Sequence, residues 1–369
     1  RYIPDSPHTF MKNVLACLSV AALLATGISS AEEKKKPKTW EEKAADRFKN
    51  NPTDDHKATI DAAIPKPTVT PKQARKVLVF FRCEGFIHTS IPFGNYAMQA
   101  IDKKTDAFST DLADDYSVFT KENLARYDAI IFNNTTHLKP NEEQRAAILG
   151  FIESGKGIAG FHAAADNFGE WEKGIELIGG IFNGHPWNAG GTWAFKLEDP
   201  DHALNAAFGG KGIWHKDEIY WYKPESFNGR DRLRVLLSLD MSKAENRKVL
   251  EGDKWKGKID DPSKVDVPVS WLKEVGKGRL FYTNLGHNDL TFASETVLLH
   301  MLDGIQYALG DLQPTQYPRV KRRSKSSSHR TNQSKFFPFC LAPYVLRISG
   351  IRRGNRPRSR PAHSGIFQT

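Results

Sequence analysis

"NEEQRAAILGFIESGKGIAGFHAAAD", residues 141–166, is the stretch whose reading decides the fold. Acidic residues open it and Gly155 closes its first part, the charge and cap pattern of a helix over 141–155. Gly157–Phe161 is then a short apolar run bounded by glycine, as a buried strand is. It leads into a tight turn of small residues centred on His162. In many α/β hydrolytic enzymes such a strand–turn–helix junction carries a nucleophilic Ser or Cys. A histidine in that place needs a different explanation.

Working outward, "KVLVFF" (76–81) and "YDAIIFNNTT" (127–136) read as strands covered on both faces, with a helical stretch from Ser90 to Lys104 between them. Strand, helix, strand, helix, strand at this spacing implies βαβ units and a parallel sheet. The second half changes character. "GGTWAFKLED" (190–199), "IWHKDEIYWY" (213–222), "LRVLLSLD" (233–240), "VPVSWLKE" (267–274) and "GRLFYTNLGH" (278–287) predict shorter strands, several of them alternating. "SETVLLHMLDGIQYALG" (294–310) is a closing amphipathic helix. The expected class is α/β: a doubly wound, mainly parallel sheet with helices on both faces and added β-strands in the second half.

The net charge of +10 suggests a nucleic-acid or membrane partner, but its distribution removes the suggestion. Gln313–Thr369 holds 13 Lys and Arg and no acid, and taking 13 from 53 leaves 40 bases against 43 acids in the rest of the chain. The body is near neutral and no nucleic acid is expected. Residues 313–369 read as a basic, disordered tail. Residues 1–31 read as a short upstream stretch followed by a cleavable signal peptide. Lys12 precedes an apolar run from Val14 to Ala25, and Ser29-Ser30-Ala31 sets cleavage after Ala31. That run is too short for a stable membrane span, so a secreted or periplasmic protein is expected. Residues 32–75 read as a charged tether with some helix around Trp40–Phe48, leaving a domain over 76–312. Cys83 is the body's single cysteine, so no internal disulfide can form there.

Ligands of parallel α/β sheets bind beyond the carboxyl ends of the strands, and those ends are rich in polar groups. Glu84 and His88 follow the first strand, Asn133, Asn134 and Thr135 the next, and His162 and Asp166 the third. His185, then His215, Asp217 and Glu218, then His287 and Asp289 come later. Any one of these could be an ordinary turn residue, and Asp166 could be a helix cap. Together they suggest a cleft of histidines and carboxylates. Asp217 or Glu218 would be the acid/base. His88, His162 and His287 would polarise a substrate or hold a divalent metal, roles that residue type alone does not separate. The lack of HExxH or another compact ligand spacing speaks against a metal. Trp187, Trp214 and Tyr220 beside the carboxylates read as a sugar-stacking wall. Asn133, Asn134, Thr135, His185 and His287 would bind the substrate.

"GFIH", "NNTT", "GFHAAAD", "GGIFNGHP", "WHKDEIY" and "NLGHN", in that order between Lys76 and Leu312, resemble the ThuA-like family, named for trehalose utilisation. The resemblance implies a flavodoxin-like fold similar to class I glutamine amidotransferases, with His162 standing where those enzymes carry their cysteine. A thiol-ester mechanism is then unavailable, and Cys83 lies in the wrong place to supply one. It also implies a role in sugar catabolism, as a secreted glycosyl hydrolase or an enzyme of 3-keto-disaccharides. Two alternatives stay open: a non-catalytic sugar-binding module, and an amidase-like hydrolase. The sugar and the oligomeric state are not legible.

Overall fold

The computed structural model describes residues 37–313 apart from 50, 228, 253, 256 and 257. The expected signal peptide and, beyond Gln313, the basic tail lie outside the described residues. In chain order the elements are α1 (Trp40–Phe48), α2 (Asp54–Ala62), β1 (Lys76–Phe80), α3 (Ile91–Lys104), β2 (Ser109–Ala113), α4 (Lys121–Leu124), β3 (Ala129–Asn133), α5 (Glu142–Glu153), β4 (Gly157–Phe161), α6 (Glu172–Ile178), β5 (Thr192–Leu197), β6 (Ile213–Lys216), β7 (Arg234–Leu239), α7 (Ala244–Lys248), β8 (Pro268–Val275), β9 (Gly278–Thr283) and α8 (Glu295–Ala308).

The nine strands of the described residues form one sheet, ordered β2-β1-β3-β4-β9-β8-β7-β5-β6. The pairs from β2 through to β9 are parallel, and those from β9 out to β6 are antiparallel. The sheet is therefore evenly mixed rather than mainly parallel. β8 turns straight into β9 through Gly276 and Lys277, and so short a connection can join only antiparallel strands.

Side chains alternate across the strands into two apolar layers. Val77, Val79, Ile131 and Phe281 meet α3 and α8 on one face, through Phe93, Met98, Val297, Met301 and Ile305. Leu78, Ile130, Phe132 and Leu280 meet α5 and α6 on the other, through Ile148, Ile152, Leu177 and Ile178. α8 lies close on the sheet because Gly304 has no side chain: a Cβ there would sit 2.3 Å from the Phe281 ring. Among the described residues no helix is long and apolar enough to cross a membrane.

The segment expected as a tether is partly folded onto the body. α1 buries Trp40, whose indole N–H donates to Asp114 at 2.9 Å, and α2 buries Ile60 in the main core. β2 was not expected. It is a polar edge strand, and its ladder with β1 supplies what its side chains do not.

Candidate functional site

His162 follows β4 directly, in the left-handed backbone region at φ 41°. A non-glycine residue holds that conformation only where its surroundings over-determine it. Here the Tyr282 hydroxyl donates to the His162 carbonyl at 2.7 Å, and the His162 ring bonds through Nδ1 to the Asn284 carbonyl at 2.8 Å. A carbonyl only accepts, so Nδ1 carries the proton and Nε2 presents a lone pair. That Nε2 is buried and has no hydrogen-bond partner.

His88 comes in from the loop after β1. Thr136 Oγ1 donates to the Phe86 carbonyl, Arg47 of α1 donates to the Ile87 carbonyl, and Ser90 Oγ donates to the Gly286 carbonyl, which fixes the loop on three sides. His287 comes from the loop after β9, with Nδ1 3.4 Å from Asn288 Oδ1. The three imidazoles meet edge-to-face, with centroids 4.9 Å apart for His88–His162 and 5.1 Å for each other pair. One ring nitrogen from each lies within 4.8 Å of the others. Burial pushes all three protonation equilibria down, His88 to about 3 and His162 well below the ordinary value, and neighbouring imidazoles add to the effect. At neutral pH the cluster is a set of uncharged lone-pair donors, able to hold a divalent cation or polarise a substrate.

Glu218 faces them from the extended stretch after β6. Its Oε1 lies 3.8 Å from His162 Nε2 and 3.7 Å from His287 Nε2, and its Oε2 lies 3.0 Å from His185 Nδ1. With the His162 and His287 rings uncharged, those two contacts are not ion pairs. Burial pushes the Glu218 carboxyl up to about 7, helped by the neighbouring Asp217 charge. A group poised there can both take and return a proton near neutrality.

Asp217 does not face the cleft. β6 stops at Lys216, and the Asp217 side chain is fully buried on the loop side. It accepts from the backbone N–H groups of Gly286 (2.8 Å), Asn288 (2.9 Å) and Glu218 (3.0 Å) and from Thr291 Oγ1 (3.0 Å). Its work is to hold the loop that carries His287, a correction to the expected acid/base role. Burial still pushes it up to about 6 against those four donors.

The other expected residues divide. His185 lines the rim with its side chain half exposed, and Tyr220 packs on His162 with centroids 4.3 Å apart. Trp187 is fully buried, stacked on Trp221 and donating to the Asn246 carbonyl, so it is core and not wall. Trp214 is exposed on β6, whose alternation turns it away from the His215 that bonds Thr291. Asn133, Asn134 and Thr135 are all fully buried. Asn133 donates to Ile91 O and Asn95 Oδ1, and Asn134 donates to Gly286 O, so these two asparagines brace loops instead of facing a substrate. Glu84 pairs with Arg82, Asp166 with His137, and Asp289 accepts from Thr89, all outside the cluster. Cys83 is buried, its thiol pushed up to about 12, and is no nucleophile.

Asn284 and Phe86 were missed. Asn284 orients His162 through its carbonyl, accepts from Tyr220 N–H and donates to Tyr282 OH. Phe86 is 58% exposed, its ring edge-on to His88 at 4.8 Å. Both lie in the "NLGH" and "GFIH" motifs, one position or more before the histidine of each.

The profile of the ThuA family, described as trehalose utilisation, matches residues 76–308. No curated protein matches the chain. A ThuA-like protein from Bacteroides uniformis shares the fold at 23% identity and TM-score 0.51, over 65% of this chain and 92% of that one. A ThuA-like protein from Parabacteroides merdae aligns at 16% identity and TM-score 0.49, over 66% and 93%.

Proposed function

Because the chain belongs to the ThuA, or trehalose-utilisation, family, we propose that it is an exported enzyme of carbohydrate metabolism that acts on a glycoside, above all a 3-keto-glycoside. The observation that carries this is Glu218, a buried carboxyl within 3.0–3.8 Å of three imidazoles. The parallel half runs β2-β1-β3-β4-β9, and we read it as the flavodoxin-like doubly wound order, with the ligand crevice at the β1/β3 switch point where His88 emerges. Phe86, exposed beside His88, takes the place of the expected tryptophan wall, Tyr220 backs the His162 ring from beneath, and His185 closes the rim.

Ordinary glycosidases use two carboxylates across the bond, roughly 5–5.5 or 6.5–9.5 Å apart. Asp217 would be the obvious second one, but its donors occupy it. A single near-neutral carboxyl beside neutral imidazoles suits another reaction class, removal of a proton next to a carbonyl. In a 3-keto-glycoside, Glu218 would take the proton from C2. The electrons of that C–H bond form the C1–C2 double bond and expel the aglycone oxygen, which would take the proton back from Glu218; water then adds across the new double bond, its OH to C1 and its H to C2. A binding-only module has no use for such a carboxyl.

The test is release of the aglycone from a glycoside and from its 3-keto derivative. Glu218→Gln should cut turnover by ~10²–10⁴-fold. Equal turnover in wild type and Glu218→Gln would end the assignment, and a preference for the unoxidised glycoside would return the reading to ordinary hydrolysis.

A further inference from the structure

We infer that His88, His162 and His287 form a binding site for one divalent first-row transition ion, with Glu218 on its open side as proton acceptor and not as ligand. The inference deepens the proposed function and rests on that reading only for the part played by Glu218.

The donor set is the first support. The three imidazoles project from the ends of three strands that are far apart in sequence, β1, β4 and β9, so no compact motif announces them. The centre of a triangle with 4.8 Å sides lies about 2.8 Å from each corner, against ~2.0–2.1 Å for a zinc–imidazole bond. Each ring therefore needs to move by less than about an ångström.

The unpaired atoms are the second support. His162 and His88 are at least nine-tenths buried, and His162 Nε2 and His88 Nδ1 have no partner. Buried ring nitrogens are costly unless something bonds them. A cation would use the lone pair on His162 Nε2.

The surrounding bonds are the third support. Imidazole ligands of metals usually donate their other ring N–H to a carbonyl or side-chain oxygen, which fixes tautomer and orientation. His162 does this to the Asn284 carbonyl. His287 does so to Asn288 Oδ1, because the Asn288 amide N–H groups are already given to the Ala189 and Lys216 carbonyls. Imidazole donors favour zinc, iron, nickel or copper over magnesium or calcium. Such an ion would bind the ketone and neighbouring hydroxyl oxygens of an oxidised sugar and stabilise the negative charge that forms when Glu218 takes the proton. Glu218 Oε2 is held by His185 at 3.0 Å, and the Glu218→Gln variant separates a base from a ligand, since loss of a ligand would release the ion.

The experiment loads metal-stripped full-length protein with Zn²⁺ and measures bound metal by elemental analysis after desalting, with melting followed in parallel. Wild type should retain about one ion per chain and melt higher when loaded. His162→Ala and His287→Ala should each lose most of that ion while melting near the metal-free wild type. His88→Gln, which keeps a polar group in the loop, covers the case in which an alanine variant fails to fold. Glu218→Gln should keep its ion and lose turnover. The site is overturned if wild type retains no stoichiometric zinc, or if the histidine variants retain as much as wild type. Zinc bound without turnover of any glycoside or keto-glycoside would sink the proposed function and leave the site standing. Full turnover in stripped protein would overturn the ion's part in the chemistry and leave the proposed function standing.

Discussion

Asp217→Asn separates a structural from a catalytic aspartate. In the native chain Oδ1 accepts from the Asn288 and Glu218 N–H groups, and Oδ2 from Gly286 N–H and Thr291 Oγ1. Asparagine keeps one oxygen, so two donors lose their acceptor and face an amide N–H₂ instead. Hydrogen bonds to a charged group are worth ~1.5–3 kcal/mol each, a gross loss of about 3–6 kcal/mol. Part of this is offset, because neutral asparagine escapes the cost of burying a charge. The expected net destabilisation is about 1–3 kcal/mol, read from urea unfolding. Activity should fall by about one to two orders of magnitude as His287 loses its frame, since small displacements of a catalytic group are expensive. An unchanged unfolding midpoint with activity abolished would refute this and make Asp217 a chemical participant.

Trp40→Ala should cost about 3 kcal/mol, because a buried indole and its bond to Asp114 are lost; a tether over 32–75 would give no change in urea midpoint. Gly304→Ala should lower thermal stability by ~1–3 kcal/mol despite alanine's better helix propensity, because the added methyl meets Phe281; a stabilised variant would mean α8 can shift off the sheet. The pH dependence of stability should carry a His300 signature. Burial holds this imidazole down at about 4, between Ser270 Oγ and the Leu204 carbonyl. A folded value below the unfolded ~6.5 makes its contribution complete above 6.5 and lost as pH falls toward 4, about 3 kcal/mol in all. The stability gap between wild type and His300→Gln should therefore shrink from pH 7 to pH 4.5; a constant gap in urea titrations would contradict it.

The legible parts of the chain were those where one residue type serves one purpose. β1, β3 and β4 announce themselves as unbroken apolar runs because both their faces are covered. β2 does not, since an edge strand is stabilised by its ladder and by Asp111 bonding Lys76 and Tyr127. α1 was half legible: Trp40, Ala44 and Phe48 stand four apart among charges, and that spacing outweighs the composition. The histidines could be placed at strand ends from the order of elements alone. Asp217 and Glu218 could not be told apart, because neighbours on an extended chain face opposite ways and only the fold says which side is the cleft. Trp187 reads in sequence as a sugar platform, and only the fold shows its N–H bonded to the Asn246 carbonyl in the core. Asn284 acts on His162 through its backbone carbonyl, which every residue has, so no side-chain pattern could have marked it.

β9, near the C-terminal end of the described chain, is the middle strand of the sheet. Until it inserts, β4 and β8 are open edges with unpaired backbone groups, ready to pair with another chain. A nascent chain still short of residue 278 has no seam between the two halves of its sheet and has made neither Asn284 nor His287. Completion of the sheet therefore waits for residues 278–283, because the two halves share no pairing except through that strand. Fragments stopped before that strand should aggregate instead of retaining partial activity.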